Sequence, residues 1–155
     1  MNKPLHDVDF LRWTIAQAAA LRHAGTMRIN TPDPIDWESV AEEIESLGRS
    51  ERAALRSRIA VVLEHLFKLA LLPATGPRAE WLDTIDTQRA AIARLLEDSP
   101  SLQREVSILV AGELLRARRT VARAAIRHNE PLSADPASLV FDADQVLDES
   151  YPPEP

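Results

Sequence analysis

Three titratable side chains lie where a helical protein could bring them into its interior. With about 100° of rotation per residue, Glu113 falls on the same helical face as Val110 and Val121. Glu43 and His65 fall at the edges of apolar faces. A buried carboxylate must be paired, hydrogen-bonded or protonated, because an unpaired buried charge is costly. Either the three residues converge as a metal or acid–base site, or Glu113 pairs with an arginine or a backbone donor as a structural link, which the sequence favours.

The four histidines do not have the spacing of a di-iron site. Such a site needs Glu-x-x-His, which places two ligands one turn apart on a helix. The residues three positions before the histidines are Lys3, Ala20, Val62 and Ala125, and none is acidic. The His-Glu-x-x-His pattern of zinc metalloproteases is absent from the sequence too. A Mg²⁺ or Mn²⁺ site stays open, since these ions need only oxygen ligands; no other cofactor is predicted.

Four arginines form a ridge along the segment that ends near His128. This arginine ridge consists of Arg116, Arg119, Arg123 and Arg127. A basic ridge is typical of contacts with phosphate or nucleic acid. No aromatic side chain is interleaved with it to stack on bases, so a solvated face is favoured and nucleic-acid binding is disfavoured.

The same segment carries a second apolar line, on the side opposite its core-facing residues. The line consists of Ile108, Ala111, Leu115, Ala122 and Ile126. A helix that is apolar on two sides is either central in its bundle or buried in an interface. We expect self-association through Ile108, Leu115 and Ile126, with a central helix as the alternative.

The elements that position these residues are expected to be helices. Prolines cluster at junctions, and the segments between them are rich in Ala, Leu, Arg and Glu, which favour helix. No window alternates β-branched and polar residues as a strand would. The sequence predicts an all-α antiparallel bundle of four to five main helices with a short C-terminal helix. One domain is expected over residues 1–155, with a body over 1–128 and an acidic, proline-rich tail over 129–155.

Caps and breaks predict the first helix boundaries. Asp7 would cap the first helix and Gly25 would end it, and Asp36 would cap the second. Gly48 would end the second helix, with Ser50 capping a third, unless one bent helix continues through it. The expected inward face of the second helix is Trp37, Val40, Ile44 and Leu47.

Later boundaries follow from the same signals. The helix after Gly48 would end near Leu72, before the break at 73–77, and the next would end near Glu97. Ser99 would then cap the longest helix, with Pro100 at its first position, and that helix would reach His128. A short helix within 142–149 would be docked by Phe141, Val146 and Leu147.

Charge is unevenly distributed along the 155 residues, whose net charge is −6. Residues 1–127 hold 18 basic and 17 acidic side chains, whereas 128–155 hold seven acidic ones and no lysine or arginine. We expect this tail to fold back over the arginine ridge.

The chain has no cysteine, no glycine-rich phosphate loop, no apolar leader and no segment apolar enough to span a membrane, so a cytoplasmic protein is expected.

One motif is similar to a known family signature. Residues 41–51, AEEIESLGRSE, resemble that of a bacterial family, domain of unknown function twenty-nine. Further similar segments are Asp9-Phe10 with Trp13, His65–Lys68, Leu95–Leu102 and Gln145–Glu149. The pair Leu69-Ala70 departs from the expected pattern. The resemblance implies an all-helical fold over nearly the whole chain and no established activity, so it assigns no catalytic residue.

Three functional hypotheses follow. The first is a non-enzymatic interaction or regulatory protein that self-associates. The second is a metal-dependent hydrolase or nuclease-like enzyme that uses Glu43, His65 and Glu113. The third is a nucleic-acid-associated factor that uses the arginine ridge.

Overall fold

A computed structural model describes residues 2–27, 34–73 and 77–153, and every regular element in these ranges is helical. The α-helices are α1 (Leu5–Val8), α2 (Phe10–Met27), α3 (Trp37–Leu71), α4 (Arg78–Asp98), α5 (Val106–His128) and α6 (Ala143–Leu147). Short 3-10 helices over Pro100–Glu105 and Pro136–Ser138 precede α5 and α6. The predicted all-helical fold is confirmed. Within the described ranges, no helix is long and apolar enough to cross a membrane.

The chain divides into two compact units. The first contains Met1–Ala54 and Leu95–Gln103, and the second contains Leu55–Arg94 and Arg104–Pro155. The first unit therefore holds α1, α2 and the first half of α3, while the second holds α5 and α6. The single domain expected over residues 1–155 stays a prediction.

The N-terminus of α2 is capped by Asp9 and not by Asp7, which lies inside α1. Asp9 has an extended backbone, and its Oδ1 accepts a hydrogen bond from the Arg12 amide at 3.0 Å. The first predicted cap was wrong because a separate helical turn forms before α2 begins. The predicted stop at Gly25 was wrong as well, since α2 continues to Met27.

Asp9 also joins α2 to the segment that follows α4 within the first unit. Its carboxylate accepts hydrogen bonds from the Ser101 amide at 2.8 Å and from the Ser101 hydroxyl at 2.9 Å. In return, Ser99 Oγ accepts from the Leu11 amide at 3.1 Å, so it caps α2. The predicted start of the long helix at Pro100 was wrong, because a 3-10 helix occupies that stretch and α5 begins at Val106. Asp9 and Ser99 are both buried, so unpaired backbone amides at these two helix starts would be costly.

Helix α3 runs without interruption through Gly48, so the single-helix alternative is confirmed. Ser50 caps no new helix; its hydroxyl donates to the Ser46 carbonyl one turn back. Gly48 is required by packing, since a Cβ there would lie 2.5 Å from Thr14 Oγ1 and 2.8 Å from Leu11 Cδ1. The glycine therefore lets α2 approach α3 closely, where any larger residue would push the two helices apart.

The predicted inward face of the first half of α3 was partly wrong, since Trp37 and Ile44 are half-buried but Val40 and Leu47 are exposed. Val40 and Leu47 are 41% and 48% exposed, whereas Ala41 is fully buried and Gly48 is buried as well. Neighbouring positions differ by about 100° around a helix, so the buried face overlaps the predicted one but is displaced toward Ala41 and Gly48. Small residues face α2 because they permit the closest approach between the helices.

The C-terminal segment packs within the second unit. Phe141 lies edge-on to Phe67 with ring centroids 4.9 Å apart, and Val146 is fully buried in α6. Arg89, itself buried, donates from Nε to the Val146 carbonyl at 2.9 Å and from Nη2 to the Gln145 carbonyl at 2.8 Å. A cation thus binds the carbonyl end of α6, where the helix dipole favours positive charge.

Replacement of Asp9 by asparagine should lower the free energy of unfolding by about 1–3 kcal/mol, because an amide cannot accept all of these hydrogen bonds. Burial raises the pKa of Asp9, but the hydrogen bonds from Arg12 and Ser101 outweigh it and hold the pKa below its ordinary value of 3.8. The stabilisation is therefore present above that ordinary value and is lost as the pH falls through the lowered one. Chemical denaturation of wild type and Asp9→Asn at several pH values should show a difference that shrinks under acid. The control is the exposed Asp7→Asn; equal losses for the two variants would contradict the role of Asp9.

Two glycine substitutions should have opposite effects on stability. Gly48→Ala should lower it by about 1–3 kcal/mol, since the added methyl meets buried atoms of Thr14 and Leu11. At a concentration where the protein is monomeric, Gly112→Ala should raise it by about 0.5–1 kcal/mol, because alanine favours helix and a Cβ there meets nothing within 4 Å. Urea denaturation of the two variants measures both effects, and a gain for Gly48→Ala would show that α2 does not need this close approach.

Candidate protein interaction surface

Glu113 makes a structural ion pair. Its side chain is 3% exposed, and Oε1 accepts a hydrogen bond from Arg56 Nε. Arg116 Nε lies 3.7 Å from the other carboxylate oxygen. The buried charge is therefore compensated by arginine, which confirms the structural-link interpretation of this residue.

The other two candidate site residues, His65 and Glu43, both belong to α3. The Nδ1 atom of the half-buried His65 lies 2.9 Å from the Val61 carbonyl oxygen one turn back in α3, within hydrogen-bond distance. Glu43 is exposed on the first half of α3. Among the residues described, no group of three or more histidine, aspartate or glutamate side chains is placed to hold a metal ion. The metal site predicted from Glu43, His65 and Glu113 therefore gains no support from the described residues.

The acidic side chains next to Glu43 form a network of ion pairs. Arg22 of α2 donates to Glu38 and Glu45, both at 3.0 Å, and Arg49 donates to Glu42 at 3.1 Å. The hydrogen bond from Arg22 is the main reason that the pKa of Glu45 is lowered. These pairs hold the exposed edges of α2 and α3 together in the first unit, although each pair is solvated and weak.

The arginine ridge is exposed. Arg119, Arg123 and Arg127 are exposed side chains without an ion pair in the described part of the chain, and Arg116 is 73% exposed. In residues 130–153 the acidic tail does not cover the ridge. The tail is held instead by Arg89 and by Arg118, whose Nη2 donates to the Leu139 carbonyl at 2.7 Å. Sequence reasoning missed both arginines, because they bind backbone carbonyls and not the acidic side chains of the tail.

The second apolar line of α5 is also exposed. Ile108, Leu115 and Ile126 are 73%, 51% and 80% exposed. The central-helix alternative is therefore wrong: the opposite face of α5, with Val110, Glu113 and Val121, is the buried one.

The exposed aliphatic side chains and the arginines share one face of α5. We call this the outer α5 face: Ile108, Gly112, Leu115, Arg119, Arg123 and Ile126. It extends over five helical turns, about 27 Å. A shallow groove on it is lined by Gly112, Leu115, Arg116, Arg119, Thr120 and Arg123. The one acidic residue of α5, Glu113, faces the interior, so the outer α5 face is apolar and positively charged.

Comparison with known proteins places the chain in a family. The model of a domain of unknown function, DUF29, matches residues 5–152. The chain belongs to this family. The resemblance carried by the 41–51 motif is thereby confirmed.

A solved structure supports the fold of this DUF29 chain. An α-helical protein of unknown function from Rhodospirillum rubrum is 26% identical, with a TM-score of 0.76. The match covers 97% of this chain and 93% of that one. The comparison with curated proteins found no match. Neither the family description nor the solved structure names an activity.

Glu113→Gln should lower the free energy of unfolding by about 1–3 kcal/mol, because a buried charge-assisted hydrogen bond is weakened. Glu43→Gln is the matched control, since Glu43 is exposed and its loss should stay within about 0.5 kcal/mol. Guanidinium denaturation measures both. A Glu43→Gln loss as large as that of Glu113→Gln would contradict the different roles given to the two carboxylates.

Proposed function

We propose that this protein is a non-enzymatic interaction or regulatory module and that it self-associates through the outer α5 face. The observation that carries the proposal is the exposure of Ile108, Leu115 and Ile126 on one line of a helix whose other side is already buried. Full burial of such a side chain contributes roughly 1.5–3 kcal/mol, so covering this line by another surface is favourable. Arginine is enriched in protein interfaces, and their buried cores are more apolar than the rest of the surface.

We also propose that the helices pack as the antiparallel bundle expected from the sequence, with the acidic tail docked on it. Contacts within each unit support this arrangement. In the first unit, the start of α2 meets α3 at Gly48, and its later Gly25 meets Trp37 at the start of α3. In the second unit, Arg58 bonds Gln88 while Arg78 bonds the Leu69 carbonyl. Both sets run in opposite order along the paired helices, as antiparallel neighbours do. The cytoplasmic location stays a prediction.

Nucleic-acid binding is less well supported than a protein partner. The arginine ridge would supply phosphate contacts, but the same face also exposes Ile126 and Leu115, for which a phosphate backbone offers no apolar partner. The ridge holds no aromatic side chain to stack on bases.

Self-association predicts that light scattering at micromolar concentration gives a mass above that of the monomer. The fraction of associated protein should rise with protein concentration. The double variant Ile108→Ser, Ile126→Ser should be monomeric, because it loses two of the three exposed aliphatic side chains. Val140→Ser is the control, since Val140 is 66% exposed but lies outside the outer α5 face. A wild-type protein that stays monomeric at all concentrations would overturn the proposed self-association.

A further inference from the structure

We propose that the outer α5 face of one copy docks on an acidic face of α3 of a second copy. This outer α3 face consists of Val40, Glu43 and Leu47. The inference rests on the self-association proposed above and names the surface that the second copy contributes. It describes an interface between two different surfaces, not a symmetric pairing of two α5 helices.

Charge argues against the symmetric alternative. The outer α5 face carries Arg119 and Arg123, with Arg116 and Arg127 beside it, and no acid. Two copies of this face pressed together would bring like charges into one interface and would leave them without counter-charges. A partner surface that combines aliphatic and acidic side chains would satisfy both parts of the face.

The outer α3 face has that composition. Val40 and Leu47 are 41% and 48% exposed, and Glu43 is exposed between them. The three side chains lie within about 60° around the helix axis, one turn apart. They are exposed because α2 packs on the neighbouring face of α3, against Gly48.

Glu43 differs from the acids around it. Glu38, Glu42 and Glu45 are all paired with Arg22 or Arg49. Within the described residues, Glu43 has no hydrogen bond or ion pair. It is thus an acid available to an arginine from outside the chain.

The two faces also match in spacing. Val40 and Leu47 are seven residues apart, as are Ile108 and Leu115 on α5. Two helical turns separate the members of each pair, about 10 Å along the axis, so aliphatic side chains recur with the same period on both helices.

Gly112, between Ile108 and Leu115, provides the room for a second helix. Neighbouring side chains cover Gly25 and Gly48. A Cβ added to Gly25 would lie 2.7 Å from Trp37, and a Cβ added to Gly48 would lie 2.5 Å from Thr14. Gly112 has nothing within 4 Å, although glycine inside a helix costs about 1 kcal/mol relative to alanine. Its position on the outer α5 face permits the close approach that Gly48 permits inside the chain.

Two charge reversals test the docking surface. Arg119→Glu places an acid opposite Glu43, and Glu43→Arg places a base opposite Arg119, so each variant alone should weaken association on the order of tenfold or more. An equimolar mixture should associate again, since every contact between the two variants then joins opposite charges. Both residues are exposed, so the variants should keep the wild-type fold, which circular dichroism checks.

Sedimentation velocity of wild type, each variant, the mixture and the control Glu97→Arg separates the outcomes. Recovery in the mixture supports the docking of α5 on α3. Association of Glu43→Arg as strong as that of wild type would overturn this inference while leaving self-association in place. Improved association of Arg119→Glu alone would favour symmetric α5 pairing and would also overturn it. A monomeric wild type would instead overturn the proposed function on which the inference rests.

Discussion

The close approach of α2 to α3 at Gly48 decides what the first unit presents to solvent. Because a Cβ at Gly48 would meet Leu11 and Thr14, the face of α3 that holds Gly48 and Ala41 must point at α2. A helix is rigid, so fixing one face fixes all the others. Val40, Glu43 and Leu47 are therefore held outward, at spacings of one turn. The same contact sets the distance across which Arg22 reaches Glu38 and Glu45.

Helix α5 is fixed in its orientation by buried valines and an ion pair, and this orientation likewise determines which residues face outward. Its inner face is fixed by Val110, Val121 and the buried Glu113, whose carboxylate is compensated by Arg56. Rotation of α5 would expose these valines and separate the ion pair, which would leave a buried charge unpaired. The outer α5 face, on the opposite side, is therefore a fixed surface with a defined pattern of aliphatic and basic groups.

How much of this could be predicted from the sequence depended on the size of the residues that form each contact. The inner face of α5 was predicted correctly, because its large aliphatic side chains recur at helical spacing. The inner face of α3 was not, because it is marked by Ala41 and Gly48, which carry little hydrophobic signal. The bonds from Ser101 to Asp9 join residues 92 apart, and no local pattern indicates such a pair. Net charge suggested that the tail would cover the arginine ridge, but Arg89 and Arg118 bind it through backbone carbonyls.

The arginines next to the exposed aliphatic line would make docking on the outer α5 face, as proposed above, selective. An aliphatic line alone would attract any apolar surface, whereas flanking charges oppose contact with surfaces that cannot pair them. In the proposed interface, Arg119 and Arg123 would therefore oppose a purely apolar partner, because burial would remove their water without compensation. An acid placed among aliphatic residues removes that penalty. Glu43, which lies between Val40 and Leu47 and is unpaired in the described residues, has this property, so the two outer faces are chemically complementary as well as similar in spacing.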